Sequence, residues 1–190
     1  MNEMYAPRWV SADQEPTELH TQVLPRLFQG GTADERWDSS PWGSRGPAAG
    51  CDPDTEGYDA VATLFAWAPP AEWGVEELRF GFPDSALHGE DIHRVIRVAR
   101  WAHERWTSGD RVLVRCQAGL NRSGLVMAIV LMLDGWTPEE AIRRIRERRA
   151  EVALVNDRFV DWLMNDAAAA LGLEATDASS TPSSGDPVAA

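Results

Sequence analysis

The chain contains no lysine; all 18 of its basic residues are arginine. That absence removes every mechanism that needs a lysine amine, from Schiff-base chemistry to the lysine-bearing phosphate loop of nucleotide hydrolases. Cysteine is nearly absent too, with Cys51 and Cys116 alone among 190 residues. Two cysteines cannot build a disulfide framework, so a reducing, cytoplasmic setting is expected. The 4 histidines are scattered and form no close cluster with cysteine, so no zinc pattern is present and neither a metal nor another cofactor is expected. The longest strongly apolar run, Leu125–Leu133, is too short to cross a bilayer. The first residues, Met1-Asn-Glu-Met-Tyr-Ala-Pro-Arg8, lack a basic start followed by an apolar run, so no signal peptide is read there. Positive charge is in deficit. A net charge of −12 argues against nucleic acid and anionic membrane as partners, because both would repel the chain.

The 44% hydrophobic fraction is enough for one domain with a sizeable core. Composition divides the chain into a polar N-terminal segment over 1–20, a domain over 21–170 and a tail over 171–190. The tail is poor in large apolar groups and is expected to be disordered. Val23–Gly31 reads as a short strand ended by glycine. A Gly-, Pro-, Ser- and Asp-rich loop insertion follows over 32–57, carrying Trp37 and Trp42. Tyr58–Trp67 and Glu77–Phe82 read as strands stopped by prolines. Ile92, Val95, Ile96, Ala99 and Ala102 recur at helical spacing and predict an amphipathic helix over 90–106. Arg111–Arg115 reads as a buried strand and Leu125–Leu133 as a buried helix. Thr137-Pro138-Glu139-Glu140 then opens another helix, with a capping threonine, proline at the first position and glutamate at the third. A last helix is expected from Asp157 to about Ala170. Strands joined through helices predict an α/β fold with a central, mostly parallel sheet flanked by helices.

Between the buried strand and the buried helix stands Cys116-Gln117-Ala118-Gly119-Leu120-Asn121-Arg122-Ser123-Gly124. A strand, a tight loop and a helix start aim backbone N–H groups at one point, which suits an anion. A helix N-terminus and a nearby cation also favour thiolate over thiol, so Cys116 is a candidate nucleophile. The spacing lets the amides of Gln117, Ala118, Gly119, Leu120, Asn121 and Arg122 surround one tetrahedral dianion. Arg122 would grip two of its oxygens in the bidentate way open to a guanidinium. Gly119 supplies backbone freedom for the curl, and Ser123 places a hydroxyl near the sulfur. Attack on a phosphate ester also needs a proton for the leaving oxygen. Asp84, in the Phe82-Pro83-Asp84-Ser85 turn, is the candidate acid, since Glu90 and Asp91 fit helix-start positions better.

The Cys116–Ser123 stretch resembles the Cys-x5-Arg-Ser/Thr loop of the protein tyrosine phosphatase superfamily. The short form, with its aspartate about thirty residues upstream, resembles the dual-specificity branch. Leu27-Phe28-Gln29-Gly30 is similar to that family's opening strand, and Thr137–Arg149 followed by Asn156 and Phe159 to its closing helices. The resemblance implies a metal-free, two-step hydrolysis. Cys116 attacks phosphorus, Asp84 protonates the leaving oxygen and then activates water, Ser123 assists thiolate departure, and Arg122 with the loop amides holds the phosphoryl charge. The expected partner is a phosphorylated protein or small phosphomonoester, with phosphotyrosine favoured, with or without phosphoserine and phosphothreonine. The uncharged Gln117, Ala118, Leu120 and Asn121 suit a single phosphate. Two features depart from the family pattern. Arg115 stands where the family places histidine, a cation that could still favour thiolate, and the 32–57 insertion could shape substrate choice. The first departure keeps a catalytically weak, phosphate-binding module as the alternative. Sequence leaves the oligomeric state open. The arginines Arg143, Arg144, Arg146, Arg148 and Arg149 could form a docking patch or a solvated helix face. Trp37, Trp42 and Trp73 are candidates to line a pocket mouth.

Overall fold

The computed structural model describes residues 16–32 and 51–173. Trp37, Trp42, most of the 32–57 insertion, residues 1–15 and the tail from 174 onward lie outside the described residues. The chain opens with two antiparallel strands, β1 (His20–Leu24) and β2 (Leu27–Gly30). A single strand was expected over Val23–Gly31. Pro25 and Arg26 instead fold it into a hairpin, with Arg26 at φ 65. Proline fixes the second position of such a turn, and the third takes the left-handed conformation. Three further strands join in parallel: β3 (Ala60–Thr63), β4 (Glu76–Arg79) and β5 (Val112–Arg115). The resulting five-stranded sheet has the order β1-β2-β5-β3-β4 and is mostly parallel, as expected. β3 is shorter than the Tyr58–Trp67 run because the chain turns after Leu64, where Ala68 N–H donates to Phe65 O at 3.2 Å.

The helices are α1 (Glu90–Thr107), α2 (Arg122–Leu133), α3 (Pro138–Arg148), α4 (Asp157–Asn165) and α5 (Ala167–Leu171). α2 is buried from Ser123 through Met132, so it has no solvent face and runs through the centre of the core. Each large apolar side chain buried there contributes about 1.5–3 kcal/mol. α3 starts as its sequence dictates: Glu140 N–H donates to Thr137 Oγ1 at 3.3 Å, and Thr137 N–H donates to Glu140 Oε2 at 3.0 Å. The single last helix expected to Ala170 breaks at Asp166 and restarts as α5. No helix among the described residues is long and apolar enough to cross a membrane.

Strand alternation sorts the sheet into two faces. Leu27, Ala60, Ala62, Val112 and Val114 pack with the helices, whereas Phe28, Val61 and Leu113 pack with Tyr58, Ala71 and Val75 on the other side. A period of two carries this sorting to the strand ends. Gln29, two residues after Leu27, turns toward α2, and Arg115, two after Leu113, turns away from it.

Candidate active site

Cys116 directly follows β5 at the carboxyl edge of the parallel strands, and its N–H donates to Gly30 O at 3.2 Å. From there the chain curls tightly to the start of α2. At Gly119 φ is +71, and a Cβ would lie 2.4 Å from the Gly30 carbonyl carbon. Conformation and space therefore both demand glycine at this point. The Gly30–Thr32 segment lies against the loop, with Thr32 N–H donating to Gln117 O at 3.0 Å.

Cys116 is 2% exposed, and its Sγ lies 3.4 Å from Ser123 Oγ. Gln29 Nε2 donates to the same hydroxyl at 3.4 Å and to Gly119 O at 3.0 Å. With a lone pair of Ser123 occupied by Gln29, the serine's own proton is available to sulfur when sulfur is a thiolate. Beneath the loop lies Arg149, 7% exposed. Its Nε donates to Gly119 O at 3.1 Å and its Nη2 to Ala118 O at 3.5 Å, while Nη1 donates to Glu18 O and Thr21 Oγ1. Burial pulls the Arg149 guanidinium down to about 10, against the opposing charges of Cys116 and Glu18. It therefore stays protonated at neutral pH and places a fixed cation under the loop.

Arg122 opens α2 and is half-buried. Its Nη1 reaches Leu64 O at 3.3 Å and Phe82 O at 3.4 Å, and its guanidinium lies 5.4 Å from the centre of the Phe65 ring. Its Nε is buried without a hydrogen-bond partner among the described residues. Such a donor is costly unless something accepts from it. Asp84 is exposed, and its carboxylate meets the loop. Asn121 Nδ2 donates to Oδ2 at 3.0 Å, and Asn156 Nδ2 donates to Oδ1 at 2.8 Å.

The predicted residues thus converge, though not all in the expected way. Cys116, Arg122, Ser123 and Asp84 gather around one loop. Leu120, at 8% exposure, turns its side chain into the core, and Asn121 is engaged with Asp84. Trp73 is exposed. Sequence reasoning gives no role to Gln29, reads Arg149 only as part of a docking patch or solvated helix face, and reads Asn156 only as part of the closing region. Gln29 carried a signal, being a polar residue on the helix-facing side of a strand. Arg149 was hidden among its neighbours on a charged helix.

Two expectations are corrected. Arg115 does not face Cys116. It is fully buried on the opposite face of the sheet, where Nη1 pairs with Asp52 Oδ2 and Nη2 with Glu77 Oε1 at 3.2 Å. Its Nε donates to Thr63 Oγ1 at 2.9 Å and its Nη2 also to Pro69 O at 2.7 Å. Two carboxylates neutralise this cation, and through Asp52 it anchors the returning end of the 32–57 insertion. Burial pushes the Glu77 carboxyl up, but Thr63, the Ala71 N–H, Arg79 and Arg115 outweigh it and hold the group below its ordinary value. The second correction concerns the arginine-rich helix. Arg144 donates to Val23 O, Arg146 to Ala153 O and Leu154 O, and Arg148 to Gln22 O. These side chains, like Arg149, stitch the fold together rather than forming a free patch. Arg146 and Arg148 stay exposed while making these bonds, and Arg143, also exposed, pairs loosely with Glu147.

Residues 84–168 match the family model described as dual specificity phosphatase, catalytic domain. The phosphatidylglycerophosphatase and protein-tyrosine phosphatase 1 of Rattus norvegicus is 32% identical over 102 residues, which are 48% of this chain and 49% of that protein. The chain therefore matches about half the length of this relative. Among solved structures, the active form of Tk-PTP aligns with a TM-score of 0.58 at 23% identity, covering 80% of this chain and 95% of that one. Human DUSP28 aligns with a TM-score of 0.62 at 19% identity, covering 83% and 99%. At these identities the structural likeness is one of fold. The matched segment, with the loop it contains, is thus similar to the catalytic domain of dual specificity phosphatases, and the fold is that of these solved phosphatases.

Proposed function

We propose that this protein is a cysteine-dependent phosphatase that hydrolyses phosphomonoesters through a cysteinyl-phosphate, acting on phosphotyrosine with or without phosphoserine and phosphothreonine. The observation that carries the reading is the convergence of a buried thiol, a guanidinium with an unpartnered Nε and a carboxylate on one strand-to-helix loop. In the first step the Cys116 thiolate forms an S–P bond as the P–O ester bond breaks, and Asp84 gives its proton to the departing oxygen. In the second step Asp84 takes a proton from water as that water attacks phosphorus, and the S–P bond breaks. Ser123, 3.4 Å from the sulfur, donates to it as it leaves. Arg122 and the loop amides carry the phosphoryl charge in both steps.

The position of Arg115 removes the main motive for reading the chain as a weak phosphate-binding module, since its charge is spent on the far face. Both described cysteines are free, which suits a thiolate nucleophile in a reducing, cytoplasmic setting. The rat relative's name joins a phospholipid and a protein substrate. Both are monoesters, and the uncharged side chains of Gln117 and Ala118 suit one phosphate group at a time. A substrate panel tests the proposal: a phosphotyrosine peptide, a phosphoserine/threonine peptide and phosphatidylglycerophosphate, assayed from about pH 5 to about pH 8 without added metal. The phosphotyrosine peptide is expected to give the highest kcat/KM. Preference for the lipid would replace the substrate assignment, and turnover of none of them would overturn the phosphatase reading.

A further inference from the structure

We infer that Asn156 is a positioning residue for proton transfer, which latches the Asp84 carboxylate onto the phosphate loop together with Asn121. The inference rests on the phosphatase reading above. Asp84 sits on an exposed turn between β4 and α1, where nothing in its own backbone would fix the carboxylate. General acid catalysis needs that group within about 2.6–3.2 Å of the leaving oxygen, and a misplacement of about 1 Å can cost a hundredfold. The two carboxamides supply what the turn lacks, one for each carboxylate oxygen.

The orientation of both amides is determined by their other partners. Asn121 Oδ1 accepts from the Asn156 N–H at 3.1 Å, and Asn156 Oδ1 accepts from the Arg158 N–H at 3.1 Å as the cap of α4. Flipping either amide would set an oxygen against the Asp84 carboxylate and lose the second bond. Asn156 itself is 2% exposed and is delivered by a rigid segment. Leu154 holds φ 58, its N–H donates to Leu120 O at 3.4 Å, and Arg146 holds the carbonyls of Ala153 and Leu154 at 3.1 Å each. Gly124 makes room for this segment, since a Cβ there would lie 2.9 Å from Leu154 Cγ. Helix capping requires only the oxygen of residue 156, a role that serine or aspartate fills about as well. The N–H donor is surplus to the cap, and Asp84 is what it serves.

The test compares wild type, Asp84→Asn, Asn156→Ser and the double variant on aryl phosphates with good and poor leaving groups. Serine keeps the cap but is too short to reach Asp84. Asn156→Ser is expected to lower kcat for the poor leaving group about 10- to 100-fold, with a smaller loss for the good one and little change in KM. In the double variant the loss should not exceed that of Asp84→Asn, because both changes disable one proton transfer. Should Asn156→Ser fail to fold, Asn156→Asp keeps the cap and the size while setting a carboxylate against Asp84, and the same pattern is expected. Equal slowing of both substrates, or losses that add in full, would overturn the latch while leaving the phosphatase reading intact. An inactive wild type would overturn both.

Discussion

Arg115 and Arg122 stand at the two ends of one loop, yet their surroundings have little in common. Arg115 is sealed on the back of the sheet, with two carboxylates, a hydroxyl and a carbonyl around its guanidinium. Arg122 on the helix side is half-buried, meets two carbonyls at 3.3 and 3.4 Å and keeps Nε free of partners among the described residues. A guanidinium paired with carboxylates has its charge cancelled, whereas one aimed by carbonyls keeps its charge for an incoming anion. Adjacency to Cys116 in sequence therefore says little about electrostatics at its sulfur. The strand period assigns Arg115 to the back, and the cation beneath the loop comes from Arg149, far along the chain.

The largest effect that could break this contrast is on turnover. Arg122→Ala is expected to lower kcat on an aryl phosphate by roughly 10²- to 10³-fold, with little change in melting temperature. Arg122→Lys should recover only part of the loss, because a point charge cannot grip two oxygens. A large drop in stability with modest loss of turnover would make Arg122 the structural arginine instead.

Arg115→His installs the residue that the resembled family places there and should nevertheless harm the protein. It leaves the buried Asp52 without its cation, while the half-buried Glu77 keeps Arg79, and breaking a buried pair costs about 3–5 kcal/mol. Thermal unfolding reads this as a clear drop in melting temperature, with no gain in kcat. Replacing Asp52 and Glu77 by Asn and Gln in the same variant should return part of the stability. A gain in activity from Arg115→His would show that the position acts on the nucleophile after all.

The smallest effect lies in the acid limb of stability. Glu77 is held below its ordinary value of 4.5 in the folded chain. The stability it contributes is complete above 4.5 and is lost as pH falls through the lower folded value, because the unfolded chain takes up its proton first. Denaturant unfolding should thus show wild-type stability declining below 4.5, and Glu77→Gln should flatten that slope while starting from lower stability at neutral pH. An unchanged slope would remove Glu77 from the back-face ion pair.

Features written in local sequence were legible. The capping box at Thr137, the fully apolar run of α2 and the strand–loop–helix order around Cys116 each follow from neighbours a few residues apart. Contacts set by the tertiary fold were not. Nothing near Arg149 announces that it lies under Gly119, and nothing near Asn156 names Asp84. Arg115 is the intermediate case. The alternation through Leu113 was available and assigns it to the face opposite the helices, but its place beside Cys116 suggested a role in the chemistry. The hairpin is hidden in the Val23–Gly31 run, because Pro25 and Arg26 interrupt its apolar residues too briefly to mark a turn.

The most direct measurement of the central claim is mass spectrometry of the protein quenched during turnover of an aryl phosphate. A phosphate adduct is expected on the peptide carrying Cys116 in the wild type and none in Cys116→Ser, which should also lose turnover. Turnover that persists in Cys116→Ser, or an adduct on any other residue, would contradict the claim.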